Sequence, residues 1–374
     1  MVGLPQLFRA VRQVDVNPVG PGGLLDAFTN ATDQFIRGQL YAETIMMQET
    51  LQFTGIDKAL ETQIIDFQNR MKGQATYFYD QIITGNYGYI VAVAGGYHMC
   101  ALVTVTIDVT AGDIEIAASN DKARRSAASS YSMLADQAYD QSVVTATLAT
   151  KVTSLDRSLA QYVVAYREAL KVVEADLSSA AKTTLEEIET LRQAINQNLS
   201  DIVAGGEEVG GAVTNLIVGV LTEITKDKPS APEKGSQAAK VSEGDSFGVL
   251  AIKAVATGAS KLSQAEKDLN ANNDKLAAAY QRLAQDQTMV AVAKAIEVQN
   301  DLFATMVPLA ASASQDINVA FQTVEANLTG FSASITSVTD DNAAASLAKQ
   351  AHRAEPQWAA LNSELQEMKK MIIA

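Results

Sequence analysis

The sequence predicts an all-α chain, an elongated bundle of long helices carrying one small apolar head, and three observations support that prediction. The first is composition: 374 residues are 47% hydrophobic but only 6% aromatic, and the apolar share is mostly Ala, Val, Leu and Ile. That mixture suits helix packing better than a sandwich or barrel. The second is the placement of helix breakers, since Gly costs about 1 kcal/mol and Pro about 3 kcal/mol inside a helix. Gly22 to Lys228 is a proline-free run of 207 residues, and within it the 92 residues from Asp113 to Ala204 also lack glycine. The third is an apolar seam that steps by threes and fours through most of that run, the mark of one helix packing on others.

The elements follow in order. Leu40 to Leu51 reads as a helix ended near Gly55, and Ile56, Leu60, Ile64, Phe67, Met71, Phe78 and Ile82 mark a second, amphipathic one. Gln81 to Ile107 carries no charge for 27 residues, long enough to span a bilayer. Gly85, Gly88, Gly95 and Gly96 and its β-branched second half favour a core connection inside the bundle over an inserted helix. The seam then runs through Val152, Leu155, Leu159, Tyr162, Tyr166, Ala169, Val173, Leu177, Ala181, Thr184, Ile188, Leu191, Ile195, Leu199 and Ile202, with a polar turn near Ser119 to Ser130 able to shorten the run. A return helix is marked by Leu262, Leu269, Leu276, Leu283 and Val290, with Tyr280, Ile296 and Phe303 continuing its stripe. Near the end, Pro356 suits a first helical position, followed by Trp358, Leu361, Leu365, Met368 and Ile372.

Between the two long helices, Gly205 to Gly258 holds 9 of the 22 glycines and two of the seven prolines. It contains two apolar legs, VGGAVTNLIVGVLT from Val209 to Thr222 and FGVLAIKAVATGA from Phe247 to Ala259, joined by a polar tip with four basic and four acidic residues. Val213, Leu216, Ile217, Val220, Leu221 and Ile224 also fit a one-sided helix, while Gly210, Gly211 and Gly219 leave helix and strand undecided. The expected division is therefore a body of residues 1–204 and 259–374 with a head at 205–258.

Much chemistry is excluded. One cysteine, Cys100, and two histidines, His98 and His352, cannot build a disulfide framework or a multi-histidine metal centre. His98 and Cys100 stand two apart among apolar residues, which reads as a core pair, and Glu186, Glu187 and Glu189 lack the Glu-x-x-His companion of a di-iron bundle and read as a solvated face. No phosphate-binding glycine loop, dinucleotide fingerprint or nucleophile elbow is present. No enzyme activity and no cofactor are expected. With 29 Lys+Arg against 43 Asp+Glu the net charge is −14, which repels nucleic acid and gives no attraction to anionic lipid. The start MVGLPQLFRAVRQVDVNPVG shows no secretory signal, so export would use another route.

The layout resembles the cytolysin A type of α-helical pore-forming toxin, which includes the haemolysin BL and non-haemolytic enterotoxin components. The resemblance spans from about Gln39 to the C-terminus. It rests on QIIDFQNRMKGQATYFYDQII, TSLDRSLAQYVVAYREALKVV, the apolar hairpin after it and the late WAALNSELQEM. It implies a helical body, a β-tongue or short helical hairpin masked in the soluble form, and a secreted protein that oligomerises in a target membrane, with one or two related toxin subunits as possible partners. By position, the membrane-inserting residues would be Val213, Leu216, Ile217, Val218, Val220, Leu221, Phe247, Val249, Leu250, Ile252 and Val255, and the hinges Gly205, Gly206, Gly210, Gly211 and Gly258. Physics agrees without the resemblance: apolar legs must be masked in water, and a bilayer offers a similar gain of roughly 25 cal/mol per Å². The competing expectation is a non-lytic helical scaffold or adhesin that docks partner proteins along its seam.

Overall fold

The computed structural model describes residues 17–50, 53–54, 58–174, 177–209, 216–224, 240–241, 247–256 and 262–373. Seven α-helices fall in this range: α1 Leu24–Met47, α2 Lys58–Tyr77, α3 Tyr89–Glu115, α4 Asp121–Glu174, α5 Ser179–Val209, α6 Gln264–Ser337 and α7 Asp341–Ile373. A π-helical segment, Phe78–Ile83, prolongs α2. Four strands complete the set: β1 Phe53–Thr54, β2 Leu216–Ile224, β3 Lys240–Val241 and β4 Phe247–Ala254. The chain divides into two compact units, one of Met1–Thr29, Ala92–Thr145 and Asp316–Met368, the other of Asn30–Val91, Ala146–Gln315 and Lys369–Ala374.

Helix breaks in the 92-residue run without glycine or proline are made by capping side chains, which satisfy the first orphan N–H groups of a helix. After a turn at Ile116–Ser119, the Asn120 carboxamide oxygen accepts from the N–H groups of Lys122 and Ala123, both at 3.1 Å, and starts α4. Ser178 Oγ accepts from Ala181 N–H at 3.1 Å and starts α5. At α6, Ser263 and Glu266 form a reciprocal capping box, Glu266 N–H donating to Ser263 Oγ and Ser263 N–H to Glu266 Oε2. Asp340 caps α7 through Ala343 N–H at 2.8 Å.

In the first unit α4 runs antiparallel to α6, Ser332 Oγ donating to Ala128 O and Asn318 Nδ2 to Ser142 O. Tyr131 and Phe331 pack edge to face at 4.7 Å, Phe28 and Phe321 at 6.0 Å. On α7, Ala344, Ala348, Ala351, Ala354, Trp358, Leu361, Leu365 and Met368 are all buried, and Trp358 Nε1 donates to Val19 O at 2.7 Å. This stripe explains a correction. Pro356 is not at a first helical position but in the middle of α7, and the cost of a lost backbone bond is offset by apolar packing on both sides of it.

The uncharged stretch, expected as a core connection inside the bundle, folds as the end of the π-helical segment, a bend at 84–88 and most of the helix α3. Gly85 and Gly88 lie in the break before α3, whereas Gly95 and Gly96 mark close approach within it: a Cβ on Gly95 would strike the Gln141 carboxamide, and one on Gly96 would stand 3.0 Å from the Phe28 ring and 3.1 Å from Leu365. α3 is the one helix among the described residues long and apolar enough to cross a membrane, with 39% of that apolar window buried. Met99, Cys100, Val103 and Ile107 face inward, whereas Val105 and Val109 are exposed.

In the second unit α4 again lies antiparallel to α6, Tyr166 donating from its hydroxyl to Ala293 O at 3.1 Å. Phe67 stacks on Tyr166 at 3.9 Å, Phe35 on Tyr89 at 4.1 Å, and Phe78 meets Phe303 edge-on at 5.4 Å. The predicted seam and return stripe are the core here: Val152, Leu155, Leu159, Ile188, Leu191, Ile195, Leu199, Leu269, Leu276, Leu283 and Val290 are buried. Pro308 lies inside α6, and the departure from helical geometry falls instead at Gln287, with φ −147° and ψ 77°.

Candidate functional site

The apolar legs form a β-hairpin within the second unit. β2 and β4 pair antiparallel, Leu216 opposite Ala254, Val218 opposite Ile252, Val220 opposite Leu250 and Ile224 opposite Phe247, with Leu221 bulged between Val220 and Thr222. The strand reading follows from Ile217, Val218, Val220, Val249 and Ile252, β-branched residues that fit a pleated surface, and from long-range pairing that no local period encodes. A second, two-residue pairing joins Phe53 to Val241 and Thr54 to Lys240, so the polar connection of the hairpin is strapped to the segment between α1 and α2.

The hairpin is two-faced. Leu216, Val249 and Ile252 are buried, Val218, Leu221 and Leu250 are half-buried, and Ile217, Val220 and Val255 are exposed. Phe247 begins β4. Val213, Gly210, Gly211 and Gly258 lie outside the described residues, while Gly205 and Gly206 lie within α5, which continues to Val209. Under the buried face is a cavity of about 30 Å³, walled by Tyr41 of α1, Ile195 and Leu199 of α5, and Leu276, Tyr280 and Leu302 of α6.

One edge of β4 is held by a row of carboxamides. Gln48, just past α1, donates to Gly248 O at 3.1 Å. From α6, Gln299 donates to Leu250 O at 2.8 Å and Asn273 to Ile252 O at 2.8 Å. Asn270 donates to Ala254 O at 2.8 Å and accepts from Ala254 N–H at 3.0 Å, a substitute for a neighbouring strand. Every second carbonyl of β4, from Gly248 to Ala254, therefore ends on a side-chain amide. An open edge would otherwise leave these groups buried without partners. Sequence reasoning missed this latch, although a signal existed: Asn273 lies between Leu269 and Leu276, and Gln299 between Ile296 and Phe303, polar residues at positions of the apolar stripe. Replacing Asn273 by Ala is expected to leave the Ile252 carbonyl buried and unpaired at a cost of about 1–3 kcal/mol. Hydrogen exchange of the β4 amides should accelerate accordingly, with unchanged exchange in α7.

None of the four latch residues titrates. Tyr41 and Tyr280, which wall the cavity, have hydroxyl pKa values pushed above the usual range by burial. Charges gather on α4, α5 and α6 instead: Arg192 pairs with Glu189 at 2.6 Å and Asp301 at 3.2 Å, and Arg167 with Glu297 and Asp301. Desolvation raises the Asp301 pKa, and the two arginines oppose that shift. Glu186 and Glu187 are exposed, as a solvated face requires, Glu187 pairing with Arg282 across α5 and α6.

The pairing of His98 with Cys100 is corrected. Two residues on a helix differ by about 200° around its axis, so Cys100 is buried, its thiol pKa pushed up to about 12 by burial, while His98 is exposed. Among the described residues no group of three or more His, Cys, Asp or Glu side chains could hold a metal ion.

No protein-family model and no curated protein matches the chain. Solved structures do. Soluble SmhA of the tripartite alpha-pore forming toxin Smh from Serratia marcescens aligns with a TM-score of 0.77 at 19% identity, covering 95% of each chain. The HblL1 toxin component of Bacillus cereus aligns at 0.71 and 15% identity, covering 94% of this chain and 97% of its own. SmhB of the Serratia toxin aligns at 0.67 in its soluble form, with 16% identity over 93% of this chain and 89% of its own, and at 0.53 in its pore form, with 14% identity over 93% and 98%. The conformation described above, with the apolar hairpin folded against α1 and α6, is accordingly nearer the soluble arrangement, and the chain has the fold of these soluble toxin components.

Proposed function

We propose that the chain is a component of a pore-forming toxin, soluble as described above and converted to a membrane-inserted oligomer when residues 205–258 leave the body formed by 1–204 and 259–374. The observation that carries the reading is the hairpin itself. Apolar residues fill its body-facing side, and β4 is fastened along one edge by neutral amides. Such an attachment masks apolar surface in water without burying charge, and a bilayer supplies an alternative burial of comparable gain per area. The two states of SmhB, soluble and pore, support the same direction of change.

In this reading the inserting surface is Val213, Leu216, Ile217, Val218, Val220, Leu221, Phe247, Val249, Leu250, Ile252 and Val255. The partners are target-membrane lipid, further copies of the chain and one or two related subunits, and the protein reaches the membrane from the secreted, soluble state. The test is flotation with liposomes and release of an entrapped dye, using the purified chain alone and together with the proteins encoded beside it. Flotation that persists in high salt, with dye release in at least one combination, is the expected result. A chain that neither floats nor releases dye in any combination is a scaffold or adhesin instead.

A further inference from the structure

Beside the latch, α1, α2 and α6 line a half-open pocket of about 20 Å³ whose polar lining is Gln48, Glu49, Gln68, Lys72, Gln299 and Asn300, with two isoleucines completing it. Two of these residues, Gln48 and Gln299, also hold β4 carbonyls. Gln48, Gln68, Gln299 and Asn300 are all more than nine-tenths buried. Asn300 spends its Nδ2 on Ile296 O of its own helix, and its Oδ1 is buried without a hydrogen-bond partner. Gln48 Oε1 faces Gln299 Nε2 at 3.5 Å, a contact at the limit of a hydrogen bond. Lys72 Nζ donates once, to Thr50 Oγ1 at 2.9 Å, which leaves donor capacity on the same wall.

We propose that this pocket binds one ordered water, which donates to Asn300 Oδ1 and Gln48 Oε1, and that it is the point where the β4 latch opens. The volume suits a single water, for which about 10–15 Å³ is enough when two to four polar partners converge. It is too small for an organic ligand. A water that donates to Gln48 Oε1 competes with Gln299 Nε2 for that oxygen and loosens the contact between the two glutamines that hold the Gly248 and Leu250 carbonyls, so the latch is weakest there. The second half of the proposal rests on the release reading given above; the hydration site does not.

A crystal structure of the wild-type chain that resolves ordered water should show a peak about 2.7–3.2 Å from Asn300 Oδ1. A clear map without it, or with cation coordination there, overturns the site. Replacing Asn300 by Leu fills the pocket and removes the unpaired oxygen, and exchange of the Gly248 to Leu250 amides should slow by roughly three- to tenfold, the size of one net hydrogen bond. Asn300→Ala enlarges the pocket and should leave that exchange unchanged or faster, whereas a merely structural residue would move both variants the same way, which would overturn the proposal. If Asn300→Leu slows exchange and also lengthens the lag before dye release, both halves hold. Slower exchange with an unaltered lag keeps the hydrated site and refutes its part in release.

Discussion

Replacing Ile217 by Asp is expected to abolish dye release while leaving the soluble protein folded. Ile217 is 49% exposed and stands opposite Lys253 in the hairpin register, so a carboxylate there stays in water and gains a cross-strand cation. At membrane depth the same carboxylate costs about 2.5–3.5 kcal/mol on insertion scales, roughly two orders of magnitude in the insertion equilibrium of each copy. Val220, 51% exposed, should behave in the same way. Leu216 provides the contrast, being 7% exposed against Ala254, so a charge there should damage the soluble fold before any membrane is met. Circular dichroism and the thermal midpoint establish that the Ile217 variant is folded. If it is folded and still releases dye normally, the hairpin does not enter lipid, and the exposed side of α3 becomes the surface to examine.

A disulfide between β4 and α6 is expected to hold the protein in its soluble state completely and reversibly. Cα atoms about 4.4–6.8 Å apart are what a disulfide bridges, and a side chain as short as that of Asn270 already spans the gap to the Ala254 backbone. One cysteine therefore replaces a β4 residue near Ala254, and the other the α6 residue near Asn270 whose Cα lies within that range of it. Cys100 is best removed as Ala, because its site is buried and apolar and its raised pKa makes it a poor reactant in any case. The oxidised protein should stay soluble and release no dye, and reduction should restore release. Full release from protein shown to be fully oxidised would mean that the hairpin need not leave α6, and the proposed mechanism would fail.

How much of this was legible beforehand depends on the range of the interaction involved. The helical class, the seam from Val152 to Ile202, the return stripe and the position of the apolar legs are all set by the order of residues along one helix or one leg. Burial follows period directly, because one helix has one buried side. Helix boundaries were less legible, since Asn120, Ser178 and the Ser263 and Glu266 box begin helices by side-chain capping, a weaker signal than Gly or Pro.

What tertiary structure alone decided lies at residues whose local pattern serves two conformations. Leu216 to Ile224 satisfies a helical stripe as well as an extended strand. Pairing with β4, more than twenty residues away, selects the strand, and the carboxamides of Gln48, Asn270, Asn273 and Gln299 complete the β4 edge. Gly95 and Gly96 of α3 likewise read as breaks in isolation and act as contact points for Gln141, Phe28 and Leu365 once those residues are folded against them. In each case the local free-energy difference between conformations is of the order of 1 kcal/mol, smaller than the packing and hydrogen bonding supplied by distant segments, so the distant partner chose the conformation.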